Sequence, residues 1–569
     1  MDAEEFEALT PEEQAKIFHH STFKERAELI RRSHDPRALT RALSHEELYL
    51  LTREMDIEER SEVIRYATLP QLFFISDVDC WKKDRLDPDN FMEWIETLKT
   101  SDERVLLQWL LTMDYETVVT GFQKVIRVLK PEWEYAADEI LGDTPYFTID
   151  QMYYISVGEE NLEMVRRIFE ILFENNRGRY ISLLEGIMAE VEEQIEEEAY
   201  QNREVRLADR GFPDYETARR IYRPMSREEF DQTPKKDSEL MKEKVHLPNY
   251  PVLWSAERLF LDEVLLAVSE GPQEFLENLH EELAWVSNKV LAGQGIDFSS
   301  EDKVKRGIER ARFFVSLGLE DLSGGDIKKA QGILAERWCE NIFRWGVSLA
   351  MALKQRLETV MKNYWHGRKL PFFDFLISPY DKIVQGMLLG VPQYYDLTLK
   401  DTADHFRDFK TLADIERVNK SVLQVEKIHE VLERLFPKAF SLFKDSLTES
   451  EVSVTGVMVL GTLFARFCLD KKSSLSPLSP EKVKMFVSTS FEIQGSRRQI
   501  KNDLRERFLK ELFSESENAL MNVFWSFIFQ ELEDELGGID FSKPLDERFV
   551  QCLLLKAPGS LKKSDGNND

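Results

Sequence analysis

Two triplets, His45-Glu46-Glu47 and His280-Glu281-Glu282, begin as a zinc-protease helix begins, with a histidine ligand followed by a glutamate base. That chemistry needs a second histidine four residues on, so that both imidazoles share one helix face. Tyr49 and Ala284 stand there instead. Each triplet therefore reads as the first turn of a helix, where acidic side chains face the positive end of the dipole. His19-His20 reads as a solvated helix end. The aspartates Asp77, Asp79, Asp84, Asp87 and Asp89 invite a calcium loop, but Lys82 occupies the glycine position and Pro88 that of the bidentate glutamate. A turn closed by Asp or Asn caps, with Trp81 as a packing anchor, accounts for them. No metal and no cofactor are expected.

Phosphate chemistry fares no better. Leu322-Ser-Gly-Gly-Asp326 resembles the signature loop of transporter ATPases, yet no Gly-x-x-x-x-Gly-Lys-Ser/Thr cradle accompanies it. A loop that starts a helix, with Ser323 or Asp326 as N-cap, explains it. No nucleophile elbow, kinase set or dinucleotide fingerprint is present. Glu192, Glu193, Glu196 and Glu197 lack the histidine that a di-iron helix places three residues after glutamate, and read as a solvated face. Arg344, between Phe343 and Trp345, is the one buried-charge candidate, and a bidentate carboxylate is its expected partner.

The densest chemistry lies in Arg206 to Pro224. Arg203, Arg206, Arg210, Arg219, Arg220 and Arg223 gather there, in a chain whose formal charge is −29. They are read either as a site for an anionic partner or as internal pairs with the glutamates just upstream. The elements that position them follow from local rules. Gly211 suits the left-handed position after a helix, and Pro213 forbids continuation. Asp214 suits the N-cap of a short helix reaching about Tyr222. Arg223 precedes Pro224, which disfavours helical geometry. Ser226-Arg-Glu-Glu229 has the form of a capping box.

Upstream, Leu184, Ile187, Met188, Val191, Ile195 and Ala199 form a helical stripe. With seven glutamates between Glu185 and Glu198 and the arginines beyond, this predicts one helix over about 180–210. Helical periodicity dominates elsewhere, and the expected fold class is all-α and multi-domain. Short helices at Pro36–Leu43, Ser44–Met55 and Ile57–Ala67 suggest helical-repeat units in the N-terminal half. Gln71-Leu-Phe-Phe-Ile-Ser76 also echoes Gln151-Met-Tyr-Tyr-Ile-Ser156. The expected organisation is an N-terminal helical region over 1–225, a linker or long loop over 226–250, helical domains over 251–369 and 370–556, and a disordered tail over 557–569.

Composition narrows the function classes. With 43% hydrophobic and 11% aromatic residues, the 569-residue chain can bury large cores. A net charge of −29 repels phosphate backbones and anionic membrane surfaces, so neither nucleic acid nor membrane is an expected partner. Cys80, Cys339, Cys468 and Cys552 show no paired spacing, which suits a reducing compartment. The acidic start Met1-Asp-Ala-Glu-Glu-Phe6 is unlike a signal peptide. The apolar run from Val452 to Ala465 is too short to span a membrane and reads as a buried helix. A cytoplasmic location is expected.

The segments Asp79-Cys-Trp81-Lys-Lys-Asp84-Arg-Leu-Asp87, Arg206-Leu-Ala-Asp-Arg-Gly-Phe-Pro-Asp214 and Ile221-Tyr-Arg-Pro224 resemble a bacterial family of unknown function, DUF6178. Trp94, Glu282-Leu-Ala284, Ser287-Asn-Lys-Val290, Leu317-Gly-Leu-Glu320 and Ile342-Phe-Arg-Trp-Gly346 extend the likeness over about 35–550. The resemblance implies a large helical cytosolic protein and brings no catalytic residues. The expected role is a scaffold or protein-interaction module rather than an enzyme. Its binding surface is placed at Trp81, Asp84, Arg210, Asp214, Arg219, Arg220, Tyr222, Arg223 and Arg344, and its partner is expected to be a protein. The alternative is an enzyme with an unfamiliar Asp/Glu/Arg site where helical domains meet. Homo-oligomerisation is left open.

Overall fold

The computed structural model describes residues 28–31, 33, 35–53, 55–131, 141, 144–236, 258–268, 273–294, 301–365, 376–399, 405–435, 455–470, 474–494, 497–539, 545 and 550–556. Helices dominate, and the strands among the described residues form four small antiparallel sheets. The architecture is all-α and multi-domain. The chain divides into two compact units, Met1–Trp345 and Gly346–Asp569.

After helical residues 28–31, the described part of the first unit continues with four short helices, α1 (Pro36–Ala42), α2 (His45–Arg53), α3 (Ile57–Ile64) and α4 (Leu69–Asp79). Each starts on a side-chain acceptor that satisfies an orphan amide. Asp35 accepts from Ala38, Asp56 from Glu59, and Thr68 from Gln71. Ser44 and Glu47 exchange bonds of 3.1 and 3.1 Å at the head of α2. Helix α2 packs on α4, and α3 packs on α5 (Pro88–Ser101). Between α4 and α5, β1 (Trp81–Lys82) and β2 (Arg85–Leu86) form a hairpin with Lys83 at φ 61°.

Then come α6 (Glu103–Thr112), α7 (Tyr115–Gln123), β3 (Arg127–Leu129), β4 (Tyr146–Phe147) and β5 (Tyr154–Ser156), followed by α8 (Leu162–Asn175). Phe91, Phe122, Phe169 and Tyr180 form a chain of ring contacts through the core, beside fully buried Trp94 and Trp109. Each such ring contributes roughly 1.5–3 kcal/mol by leaving water.

Two sequence expectations need correction. Residues 180–210 are not one helix but two, α9 (Arg177–Ala189) and α10 (Glu192–Ala208). The break is made by a distant residue. The Gln123 amide donates to the carbonyls of Gly186, Ile187 and Glu190 at 3.5, 3.3 and 3.0 Å, satisfying the end of α9. Met188 and Val191, expected on the buried stripe, are exposed there. The echo of 71–76 in 151–156 is likewise not structural. Gln71 belongs to the capped start of α4, and its amide donates to Thr40 and Leu43 carbonyls. Gln151, at φ 60°, sits in a turn where Asp150 accepts from Met152 and Tyr153, and the chain then enters β5.

The unit continues through α11 (Tyr215–Arg219), α12 (Arg227–Gln232), α13 (Phe260–Val268), α14 (Gln273–Ala292), α15 (Glu301–Ser323), α16 (Ile327–Glu336) and α17 (Cys339–Trp365), within which the division falls. Asp326 is the N-cap of α16, accepting from Lys329 at 3.0 Å, and Gly324 and Gly325 turn the chain at positive φ. His280-Glu281-Glu282 lies inside α14 rather than in its first turn, because the helix begins earlier, at Gln273. Glu282 instead accepts from the Cys339 amide (3.0 Å) and pairs with Lys236 (2.6 Å).

The second unit contains α18 (Tyr380–Met387), a β6–β7 hairpin (Tyr394–Tyr395, Phe406–Arg407), α19 (Leu412–Leu435), α20 (Gly456–Asp470), α21 (Pro480–Ser490), a β8–β9 hairpin (Phe491–Gln494, Arg497–Ile500), α22 (Asn502–Leu512) and α23 (Glu515–Leu536). Helix α20 carries the part of the apolar run from Gly456 to Ala465, which is largely buried. Its Arg466 reaches the Ser476 and Pro477 carbonyls and pairs with Asp470. Pro480 begins α21 after Ser479, as its fixed φ favours. Among the described residues no helix is long and apolar enough to cross a membrane. His19-His20, most of the expected linker and the tail lie outside the described residues.

Candidate functional site

The arginine-rich segment is a helix junction fixed at each step. Helix α10 ends with the Gly211 amide donating to Ala208 and the Phe212 amide to Leu207, both at 2.9 Å. This is a Schellman stop, with buried Phe212 and Leu207 as its apolar contact. Gly211 has φ 83°, and a Cβ there would lie 3.0 Å from the Trp285 ring and 3.1 Å from Asn288, both on α14. The Asn288 amide donates to the Arg210 carbonyl at 3.0 Å. Asp214 accepts from Thr217 at 3.0 Å to start α11, which ends in a 3-10 turn over Arg220–Tyr222. Arg223 is extended before Pro224, and Ser226 and Glu229 form the reciprocal box that starts α12.

The arginines sort into an inner and an outer group. Arg203 is buried. It donates to the Asp77 carbonyl at 2.6 Å, pairs with Glu204 at 2.6 Å, and lies over the Trp81 and Tyr200 rings. Arg206 forks onto both Asp77 oxygens at 2.8 and 2.7 Å and also binds Asp114. Burial pushes the Asp77 carboxyl up, and the two arginines oppose that shift. Arg210 is half-buried and donates to the Pro70 carbonyl at 3.2 Å. Internal pairing thus holds for Arg203 and Arg206 but not for Arg210, and Glu204 is the one nearby glutamate among these ion-pair partners. The other carboxylates come from α4 and the N-cap of α7.

Arg219, Arg220 and Arg223 are exposed. Arg219 lies over the Tyr215 ring at 5.4 Å, and among the described residues no carboxylate is within ion-pair distance of the three. The Thr217 hydroxyl and amide, with a smaller contribution from Arg220, hold the Asp214 carboxyl below its usual range. Tyr222 is half-buried, with its ring edge against Phe343 at 5.8 Å. Phe343 precedes Arg344, which is half-buried on α17.

The hairpin docks on the same helix. Trp81 is buried against Tyr200 at 5.9 Å, and the Leu86 amide donates to Glu196 at 2.9 Å, which also pairs with Lys124. What reaches solvent is the tip, Lys82, Lys83, Asp84 and Arg85. Asp77, Asp79 and Asp87 have structural partners, whereas Asp89 is exposed. Asp79 pairs with Arg60 at 2.8 Å, and Asp87 caps α5. Among the described residues no group of three or more His, Cys, Asp or Glu is placed to hold a metal. Asp84 and Asp214 both act on α10. Burial raises the Tyr200 hydroxyl with help from Glu204 and Asp84, and burial raises Glu204, with Arg203 opposing and Asp214 adding. Trp81, Asp84, Arg210 and Asp214 therefore gather around the C-terminal half of α10.

One group that sequence reasoning passed over lies behind Arg210. Glu46, in the first turn of α2, is fully buried, and neither carboxylate oxygen has a hydrogen-bond partner. The Ser44 hydroxyl, which accepts from the Glu47 amide, lies close enough to favour the ionised form of Glu46. Burial pushes the Glu46 carboxyl up to about 7, against the pull of its own amide, Ser44 and Arg210. Burial and Arg210 together push the His45 imidazole down to about 3. The His45 ring lies 6.1 Å from Phe74, and Phe74 lies 5.8 Å from Phe212 of the Schellman stop. The signal was there, since Glu46 shares a helix face with Tyr49 and Leu50.

The model of the family of unknown function DUF6178 matches residues 3–556. No curated protein and no solved structure matches the chain.

Proposed function

Because the chain belongs to the DUF6178 family of unknown function, we propose its role from its own surface: a non-catalytic helical scaffold or protein-interaction module. One observation carries the reading. Arg203 and Arg206 are taken up by Asp77, Asp114 and Glu204, whereas Arg219, Arg220 and Arg223 are exposed on a short element capped at its start and seated on α14. Arginines presented rigidly lose little freedom on binding and make strong contacts to carboxylates. Asp214 and Glu216 border them on α11, with Glu204 beyond Asp214, so a continuous polyanion would meet repulsion while a protein surface of mixed charge would not. The binding surface we assign comprises the tip at Asp84, then Asp214, Arg219, Arg220 and Arg223, with Trp81, Arg210 and Tyr222 holding it in place and Arg344 at its margin.

Affinity purification from the native host, with mass spectrometry, tests this. An arginine that matters at an interface costs about 2 kcal/mol or more when truncated. Arg219→Ala/Arg220→Ala/Arg223→Ala should therefore reduce recovery of a specific partner more than about tenfold while helicity is kept. An unchanged partner list would count against the reading.

A second reading, an enzyme with an Asp/Glu/Arg site, is favoured by Glu46 alone, a buried carboxyl poised near neutrality beside Arg210. Its test is incubation with the host's metabolite extract. Depletion of one compound by wild type and not by Glu46→Gln would support it, and equal depletion by both would dismiss Glu46 as its centre.

A further inference from the structure

Glu46 and Arg210 sit on opposite sides of the boundary between the first helices and the junction. Glu46 belongs to α2, which packs on α4, and Arg210 closes α10 immediately before Gly211. The Arg210 bond to the Pro70 carbonyl and the ring contacts from His45 through Phe74 to Phe212 bring α2 and the end of α10 together at α4, where Glu46 and Arg210 attract each other. Their surroundings differ from the neighbouring Asp77–Arg206 fork, which is already a complete two-bond ion pair. Glu46 has no hydrogen-bond donor on either oxygen, and Arg210 has one bond, a 3.2 Å contact to the Pro70 carbonyl. A carboxylate so enclosed is strongly disfavoured until a donor reaches it.

We propose that Glu46 and Arg210 form a protonation-dependent latch: ionisation of Glu46 draws the Arg210 guanidinium into a direct ion pair that ties α2 to the junction at Gly211, and protonation releases it.

The other charged groups facing the pair are already engaged. On α2, Glu47 is held by the Ser44 amide, and Arg53 donates to the Tyr49 hydroxyl. On α3, Arg60 is paired with Asp79 of α4. On α4, Asp77 is forked by Arg206, which repels Arg210. On α10, Asp209 is exposed and attracts Arg210 from the solvent side. His45 stays neutral across the neutral range, held down by burial and by Arg210 itself. Glu46 is thus the group of this cluster that changes charge near neutrality. The latch acts on the backbone because the Arg210 carbonyl is fixed by Asn288 and the next two residues form the helix stop.

This inference rests on the buried cluster and not on the interaction reading, so the two can fail separately. Amide hydrogen exchange over residues 205–223 of the full chain, corrected for intrinsic rates, is the test. In wild type, protection of Asp209 to Phe212 should rise severalfold between about pH 6 and about pH 8. Glu46→Gln should abolish that rise. Arg210→Gln should abolish it too, without the same change to the buried acid, which keeps the proposal testable if Glu46→Gln folds poorly. Protection that does not change with pH in wild type, or a rise that persists in either variant, overturns the latch.

Discussion

Replacing Asp77 by alanine separates an internal role for the inner arginines from a partner-binding one. The Asp77 side chain is 2% exposed and that of Arg206 is 23% exposed, and the fork between them is bidentate at 2.7 and 2.8 Å. Removing one member of a buried pair strands the other charge, at about 3–5 kcal/mol. Arg206 retains Asp114 and some solvent, and the Arg203 bond to the Asp77 carbonyl survives, which places the loss at the low end, about 3 kcal/mol. Arg206→Ala strands Asp77 in turn, and the double variant should cost less than the sum by about 2 kcal/mol. Urea denaturation followed by circular dichroism gives the energies. Amide exchange of peptides from α4 and α10 assigns the transition to the first unit. A loss below about 1 kcal/mol for Asp77→Ala, or strict additivity in the double variant, would refute the argument.

Other consequences are simpler to read. Gly211→Ala must adopt φ 83° and also displace Trp285 or Asn288, whereas Gly324→Ala at φ 63° meets nothing within 4 Å. Both should lower the melting temperature through a left-handed penalty of about 1–2 kcal/mol, and Gly211→Ala should lower it further; equal shifts would contradict the close approach. Burial pushes the Cys80, Cys339 and Cys552 thiols well up and Cys468 up to about 12, and only thiolates react readily. Iodoacetamide should therefore leave the folded protein almost unlabelled at neutral pH and label all four thiols in denaturant. His45 is held at about 3 in the fold against an ordinary 6.5, so the unfolded chain takes up a proton that the fold refuses. Stability should fall as the pH drops below 6.5 toward 3, and His45→Gln should flatten that part of the melting profile.

The local grammar of the junction was legible because each signal sits beside the residue that it governs. Gly211 ends a helix, Asp214 starts one and Ser226 with Glu229 starts another, as their spacing requires. The all-α class was legible for the same reason, from periodicity. What sequence reasoning missed was set by residues far away along the chain. The break between α9 and α10 depends on Gln123, and Arg206 chose carboxylates 129 and 92 positions distant over the glutamates beside it. The likeness of 71–76 to 151–156 misled because Thr68 caps one copy into a helix while Asp150 turns the other. Glu46 was weighed for metal spacing alone, and the sign of its burial, a helix face shared with buried Tyr49 and Leu50, was passed over.

Photo-crosslinking in the native host tests the interaction surface most directly. A photoreactive residue is placed singly at Arg219, Arg220 or Arg223, with Arg104, whose side chain is 91% exposed elsewhere on the first unit, as control. We expect one discrete protein adduct from the three junction positions and none of that mass from Arg104. Absence of adducts at all three, or the same adducts from Arg104, would contradict a specific binding surface at the junction.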